Sequence, residues 1–146
     1  MKLTNIVGGI VLIAVASYAA LVMAHGVDKR TKKMTYFKQA SKMELAAMNL
    51  QGANAFLSDV VSSNDPEAPI TCGLFRIEKG KSLTYTYGYD EAKIIIDGEM
   101  TVDDGSTKVT ATPGDILFFP KGSTITFNSN SKGTGFICGQ RERDGA

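Results

Sequence analysis

Four turn signals punctuate the second half of this chain: Asp97-Gly98, Asp104-Gly105, Pro113-Gly114 and Pro120-Lys-Gly122. Asp-Gly supplies the positive-φ residues that tight hairpins need, and Pro-Gly marks turns that cannot continue a strand. Between and before these signals lie short β-branched or aromatic runs: Ala55 to Ser62, Ile70 to Glu78, Leu83 to Tyr87, Glu91 to Ile96, Glu99 to Val102, Thr107 to Ala111, Ile116 to Phe119, Thr124 to Asn128 and Gly135 to Gln140. Short strands at such spacing predict an antiparallel sandwich or barrel rather than a parallel sheet. A short helix is expected ahead of them, because Ser41-Lys-Met-Glu44 has the Ser-x-x-Glu capping-box pattern before Leu45-Ala-Ala-Met48.

The stretch from Tyr85 to Gly98 concentrates chemistry. It breaks at Gly88, restarts at Tyr89 and ends in the Asp-Gly turn, and alternation points Tyr85, Tyr87, Glu91, Lys93 and Ile95 to one face. Two phenols, a carboxylate and an ammonium on a buried face are costly unless they hydrogen-bond one another or a ligand. Arg76 joins them if Cys72 and Leu74 share its inward side. The functional reading makes Glu91 a general acid or base, Tyr87 a proton donor and Lys93 or Arg76 the stabiliser of an enolate or carboxylate, with Tyr85 and Arg76 contacting a small-molecule substrate. The alternative is a structural ion pair that fixes the strand and does nothing else.

At 146 residues, 43% apolar and 21% charged, the chain has room for one domain. A net charge of +1 without a basic stripe gives no footprint for nucleic acid. His25 is the single histidine, so the usual proton shuttle and commonest metal ligand are missing from the strands. Cys72 and Cys138 read either as two small buried residues or, if the strands bearing them are neighbours, as a bridge suited to an exported protein. Residues 6–24 are uncharged and are followed by Asp28-Lys-Arg-Thr-Lys-Lys33. Residues 1–33 are therefore set apart as a hydrophobic leader and basic linker, with residues 34–146 as the domain. The leader reads as a signal peptide, as an uncleaved anchor with membrane contact through residues 6–24, or as an appended extension. The first two place the protein in the secretory pathway or on a membrane, the third in the cytoplasm.

Gly80, Tyr85, Tyr87, Glu91 and Gly98 occupy the frame of the first cupin motif, and Gly114 through Pro120 and Gly122 to Ile125 occupy that of the second. From residue 34 to 140 the chain resembles a single-domain cupin, and more narrowly the ethanolamine-utilisation Q-type cupins and their small fungal relatives. The resemblance implies a double-stranded β-helix, the cupin jelly roll, and a homodimer through edge strands or the N-terminal arm. It also implies a part in ethanolamine catabolism, with acetate kinase activity assigned to the family. The chain departs from the metal-dependent pattern, since Tyr85, Tyr87 and Ile125 stand where that pattern has histidines. Glu91 alone remains of the ligand set, so no metal and no other cofactor are expected. No phosphate-cradling GxxxxGK[ST] segment supports phosphoryl transfer. The resulting expectation is a metal-independent small-molecule enzyme transferring protons next to a carbonyl, by isomerisation, dehydration, cyclisation or decarboxylation; the alternative is a ligand-binding or structural cupin without turnover.

Overall fold

A computed structural model describes residues 33–146. Residues 34–146 form one compact unit of two antiparallel sheets. The leader at residues 6–24 lies outside the described residues. Among those described, no helix is long and apolar enough to cross a membrane.

The strands are β1 (Ala46–Ala47), β2 (Ala55–Ser62), β3 (Thr71–Glu78), β4 (Leu83–Thr86), β5 (Glu91–Gly98), β6 (Met100–Asp103), β7 (Lys108–Ala111), β8 (Ile116–Phe119), β9 (Thr124–Asn128) and β10 (Lys132–Gly139). They pair in the order β1-β2-β3-β10-β5-β8 in one sheet and β4-β9-β6-β7 in the other. Consecutive strands therefore often belong to different sheets, which is the jelly-roll arrangement that the turn signals and motif frames predict. The chain reverses tightly where those signals fall: Gly98 has φ 69 and Gly105 φ 89. At Gly98 a Cβ would also sit 2.0 Å from the Lys132 carbonyl oxygen, so that turn admits glycine alone.

The core lies between the sheets. Phe75, Ile77, Leu83, Ile95, Met100, Phe119, Phe127 and Ile137 are nearly inaccessible, and strand alternation sends their neighbours to the outer faces. Phe75, Phe119 and Phe127 meet at tilted or edge-on angles with centroids 5.2 and 5.6 Å apart, the geometry that aromatic quadrupoles favour.

One expectation is corrected and one open alternative is decided. The capping-box segment makes no α-helix: Ala40–Lys42 is a single 3-10 turn entered through Gln39, which makes no side-chain cap. Ala46 and Ala47 instead pair with Leu57 and Phe56, and the Ala46 amide donates to the Ser58 hydroxyl at 2.9 Å. A sheet edge that offers free backbone partners outweighs a weak local helix signal. Of the two readings of the cysteines, the bridge is the one found. Cys72 and Cys138 stand opposite each other on β3 and β10 and are bridged, with Cα atoms 4.1 Å apart.

Candidate functional site

The segment from Tyr85 to Gly98 is not one strand but a passage between sheets. Tyr85 lies in β4, whereas Glu91 opens β5 in the opposite sheet. The β8–β9 turn pins the crossing: the Tyr87 amide donates to the Ser123 carbonyl, the Gly122 amide to the Tyr87 carbonyl, and the Lys121 amide to the Asp90 carboxylate at 2.6 Å. The Pro-x-Gly of the second motif frame thus fixes the glutamate-bearing segment of the first.

Tyr87, Glu91 and Lys93 come together as the alternation predicts. Glu91 is 3% exposed and Lys93 2%. The Tyr87 hydroxyl donates to Glu91 Oε1 at 2.9 Å, and Lys93 Nζ lies 3.5 Å from the same oxygen. The ammonium is otherwise surrounded by aromatic faces, 4.0 Å from the Phe75 centroid and 4.4 Å from that of Phe127. Gly135 makes that possible, since a Cβ there would lie 2.8 Å from Lys93 Cγ. Burial pulls the Lys93 ammonium down to about 8 against the opposing charge of Glu91. Burial and the neighbouring Glu91 charge push the Tyr87 phenol far above its ordinary range, so it stays a proton donor to the carboxylate.

The tyrosines form an edge-to-face series, with centroids 5.0 Å apart from Tyr85 to Tyr87 and 5.6 Å from Tyr87 to Tyr89. Tyr89 belongs to the site although its place in the sequence hides it. The break at Gly88 lets Tyr89 turn inward, against Gly139, where a Cβ would lie 2.8 Å from its ring. Burial and contact with Tyr85 raise its phenol as well.

Tyr85, Tyr87, Tyr89 and Glu91 line a small interior cavity of about 30 Å³, whose mouth is framed by Met48 and Leu57. That is space for about one water molecule. Anything larger has to displace the mouth, and Met48 has the unbranched, adaptable side chain to permit it. Lys93 does not reach this wall; it sits behind Glu91. Arg76 is not brought to the cluster. Phe75 and Ile77 are the inward residues of β3, so Arg76 points to the outer face, where it lies 4.4 Å from the Phe56 ring centroid and 2.8 Å from Glu78. The inward side assumed for Cys72, Leu74 and Arg76 is the outward one, because β3 is a central strand carrying apolar residues on both faces.

The cupin frame would hold a metal at the positions of Tyr85, Tyr87, Glu91 and Ile125. A protonated phenol already donating to the carboxylate, a second phenol and an isoleucine do not fit a divalent ion.

A second buried pair lies nearby. Asp59 on β2 receives both terminal nitrogens of Arg141, at 2.8 and 2.6 Å, and the Asp144 amide at 2.8 Å. Arg143 donates to the carbonyls of Asp59 and Val60. The Arg141 guanidinium holds the Asp59 carboxyl below its ordinary value, outweighing the upward push of burial. No local motif announces this clasp, which joins residues far apart in the chain.

The model of the family "Ethanolamine utilisation protein EutQ" matches residues 23–138. The Acetate kinase EutQ of Clostridioides difficile (strain 630) is 37% identical over 76 residues, 49% of this chain and 48% of that protein. This chain therefore spans about half the length of that relative. Among solved structures, the Clostridium difficile EutQ protein matches with a TM-score of 0.62 at 22% identity, covering 76% of this chain and 92% of that one. The polyketide cyclase RemF from Streptomyces resistomycificus matches at 0.61 and 14% identity, covering 76% and 82%. At these identities the structural likeness concerns the fold. The strand order, the two motif frames and the extent of the family match agree: the chain belongs to the ethanolamine utilisation protein EutQ family and folds as a cupin.

Proposed function

We propose that this cupin is a metal-independent enzyme that moves a proton next to the carbonyl of a small molecule, with Glu91 as the acid and base. The observation that carries the reading is that Glu91, almost wholly buried, spends one oxygen on Tyr87 and Lys93 while forming part of a cavity wall. In the proposed reaction Glu91 takes a proton from the carbon beside the carbonyl and returns it at another position. The enolate oxygen is met by a cavity phenol, Tyr85 or Tyr89. Tyr87 orients the carboxylate, and Lys93 balances its charge from behind. The same fold houses an enzyme in the polyketide cyclase RemF.

Phosphoryl transfer, named for the C. difficile relative, is not part of the proposal. The cation beside this cavity is enclosed by Glu91 and aromatic rings, which leaves it unsuited to balance phosphate charge. A second reading, binding without turnover, is favoured by the small volume of the cavity and by the paired state of Glu91.

The test is a screen of small carbonyl compounds with chelator-treated full-length protein. Conversion that disappears in Glu91→Gln, with the thermal transition retained, supports the acid and base role. Unchanged conversion in that variant overturns it, and binding without conversion across the panel establishes the second reading.

A further inference from the structure

Outside the cavity mouth lies an open groove of about 520 Å³, of the size ordinarily found for small-molecule sites. Its apolar wall is Met43, Ala46, Met48, Leu50 and Leu57. Met48, Leu57 and Ala146 border both the groove and the interior cavity, so the two are consecutive spaces divided by these side chains. The groove's charged residues are Asp59 and Asp144, and the Asp59 carboxylate is taken up by Arg141 and the Asp144 amide. Met43 and Leu50 are 38% and 39% exposed along this wall. The inner space thus carries Glu91 and the tyrosines and is too small for a metabolite, whereas the outer space has one apolar wall, with Ser58, Asp59 and Asp144 beside it, and is large enough for one.

We propose that the ligand is amphipathic: a small hydrogen-bonding head reaches Glu91 and the tyrosines, and an apolar arm lies in the groove along Met43, Leu50 and Leu57, with Met48 as the movable side chain between them. This rests on the reading of the Glu91 cavity as the reacting site and adds the class of molecule that the site takes. The occupant of the groove follows from its continuity with the cavity that holds Glu91 and from the unbroken run of apolar side chains Met43, Ala46, Met48, Leu50 and Leu57 along one wall. A methionine at the junction suits a gate, because its side chain can take another rotamer without moving the backbone.

A phenol is a suitable probe head. Its hydroxyl can donate to the Glu91 carboxylate, and its ring matches the edge-to-face packing of the tyrosines. The experiment is calorimetric titration of full-length protein with phenol and its 4-ethyl, 4-butyl, 4-hexyl and 4-octyl derivatives. Affinity is expected to rise about fourfold per methylene, the gain for moving a CH₂ out of water, until the groove is filled. Leu50→Glu and Met43→Glu, both at exposed positions outside the cavity, should flatten that rise while leaving the affinity for phenol itself unchanged. Glu91→Gln should weaken every member by the same factor. Equal affinities along the series, or a slope that persists in both groove variants, overturns the amphipathic ligand while the Glu91 site stands. Failure of phenol and all its derivatives to bind overturns the cavity reading and this inference with it.

Discussion

Two buried ion pairs sit within this small domain, and their geometries differ. Asp59 and Arg141 meet through two hydrogen bonds of 2.6 and 2.8 Å, with Asp144 supplying a third, and the Thr71 hydroxyl donates to the Arg141 carbonyl at 2.7 Å. Glu91 and Lys93 meet through one contact of 3.5 Å, supported by a tyrosine, beside a cavity. The first pair has bidentate geometry and ties the segment after β10 to β2. The second leaves a carboxylate incompletely engaged in a low-dielectric space, which is a poor way to strengthen a fold and a good way to hold a proton acceptor. The contrast separates a structural clasp from the proposed reactive site, although both were formed by burying opposite charges.

The largest effect should come from breaking the clasp. Arg141→Met strands a buried carboxylate, and urea denaturation should show a loss of about 3–5 kcal/mol. Reduction of the Cys72–Cys138 bridge, which joins the strands leading into that clasp, should cost about 2–4 kcal/mol in the same assay while leaving probe affinity at Glu91 unchanged. A thiol count on unreduced protein should find no titratable cysteine. The Glu91→Gln/Lys93→Met double variant removes both charges of the second pair. It should change stability by less than about 1 kcal/mol, because replacing a whole buried pair is often neutral, yet it should abolish conversion. A double variant as costly as Arg141→Met would erase the distinction between the pairs.

The smallest effect is in the pH dependence of stability. Lys93 in the fold loses its proton near pH 8, below its ordinary 10.5, because burial disfavours the ammonium. Between those values the unfolded chain binds the proton more strongly, so the contribution of this group to stability rises with pH across the window and is at its least below it. Glu91 is the charged group that faces Lys93, and the buried phenols Tyr87 and Tyr89 are raised out of the window. Urea midpoints measured across the window should rise more in the parent than in Lys93→Met. Parallel curves would show that Lys93 does not titrate there.

Much of the architecture could be read from residues alone, since Ala55–Ser62, Ile116–Phe119 and Thr124–Asn128 form strands with the bounds their composition predicts. The same alternation placed Glu91, Lys93 and Tyr87 together. It failed for Arg76 because a strand apolar on both faces gives no sign of which face is inward. It passed over Tyr89 because the turn at Gly88 breaks the period, and Gly139, the cue to a close approach, lies on a distant strand. The Asp59–Arg141 clasp was hidden for a related reason: its partners are joined by topology, and no local pattern records a contact between β2 and the segment following β10. The capping box misled because the backbone of β2 offered Ala46 and Ala47 a better partner than a helix.

The central claim is that Glu91 exchanges protons with a ligand in the cavity. The most direct measurement is deuterium incorporation from D₂O into the carbon-bound protons next to the carbonyl of 4-hydroxyphenylacetone, followed by proton NMR with parent protein and Glu91→Gln at equal concentration. The account predicts exchange accelerated by the parent protein and reduced to the protein-free rate in the variant. Acceleration that is equal in both, or absent from the parent although the compound binds in the cavity, would contradict it.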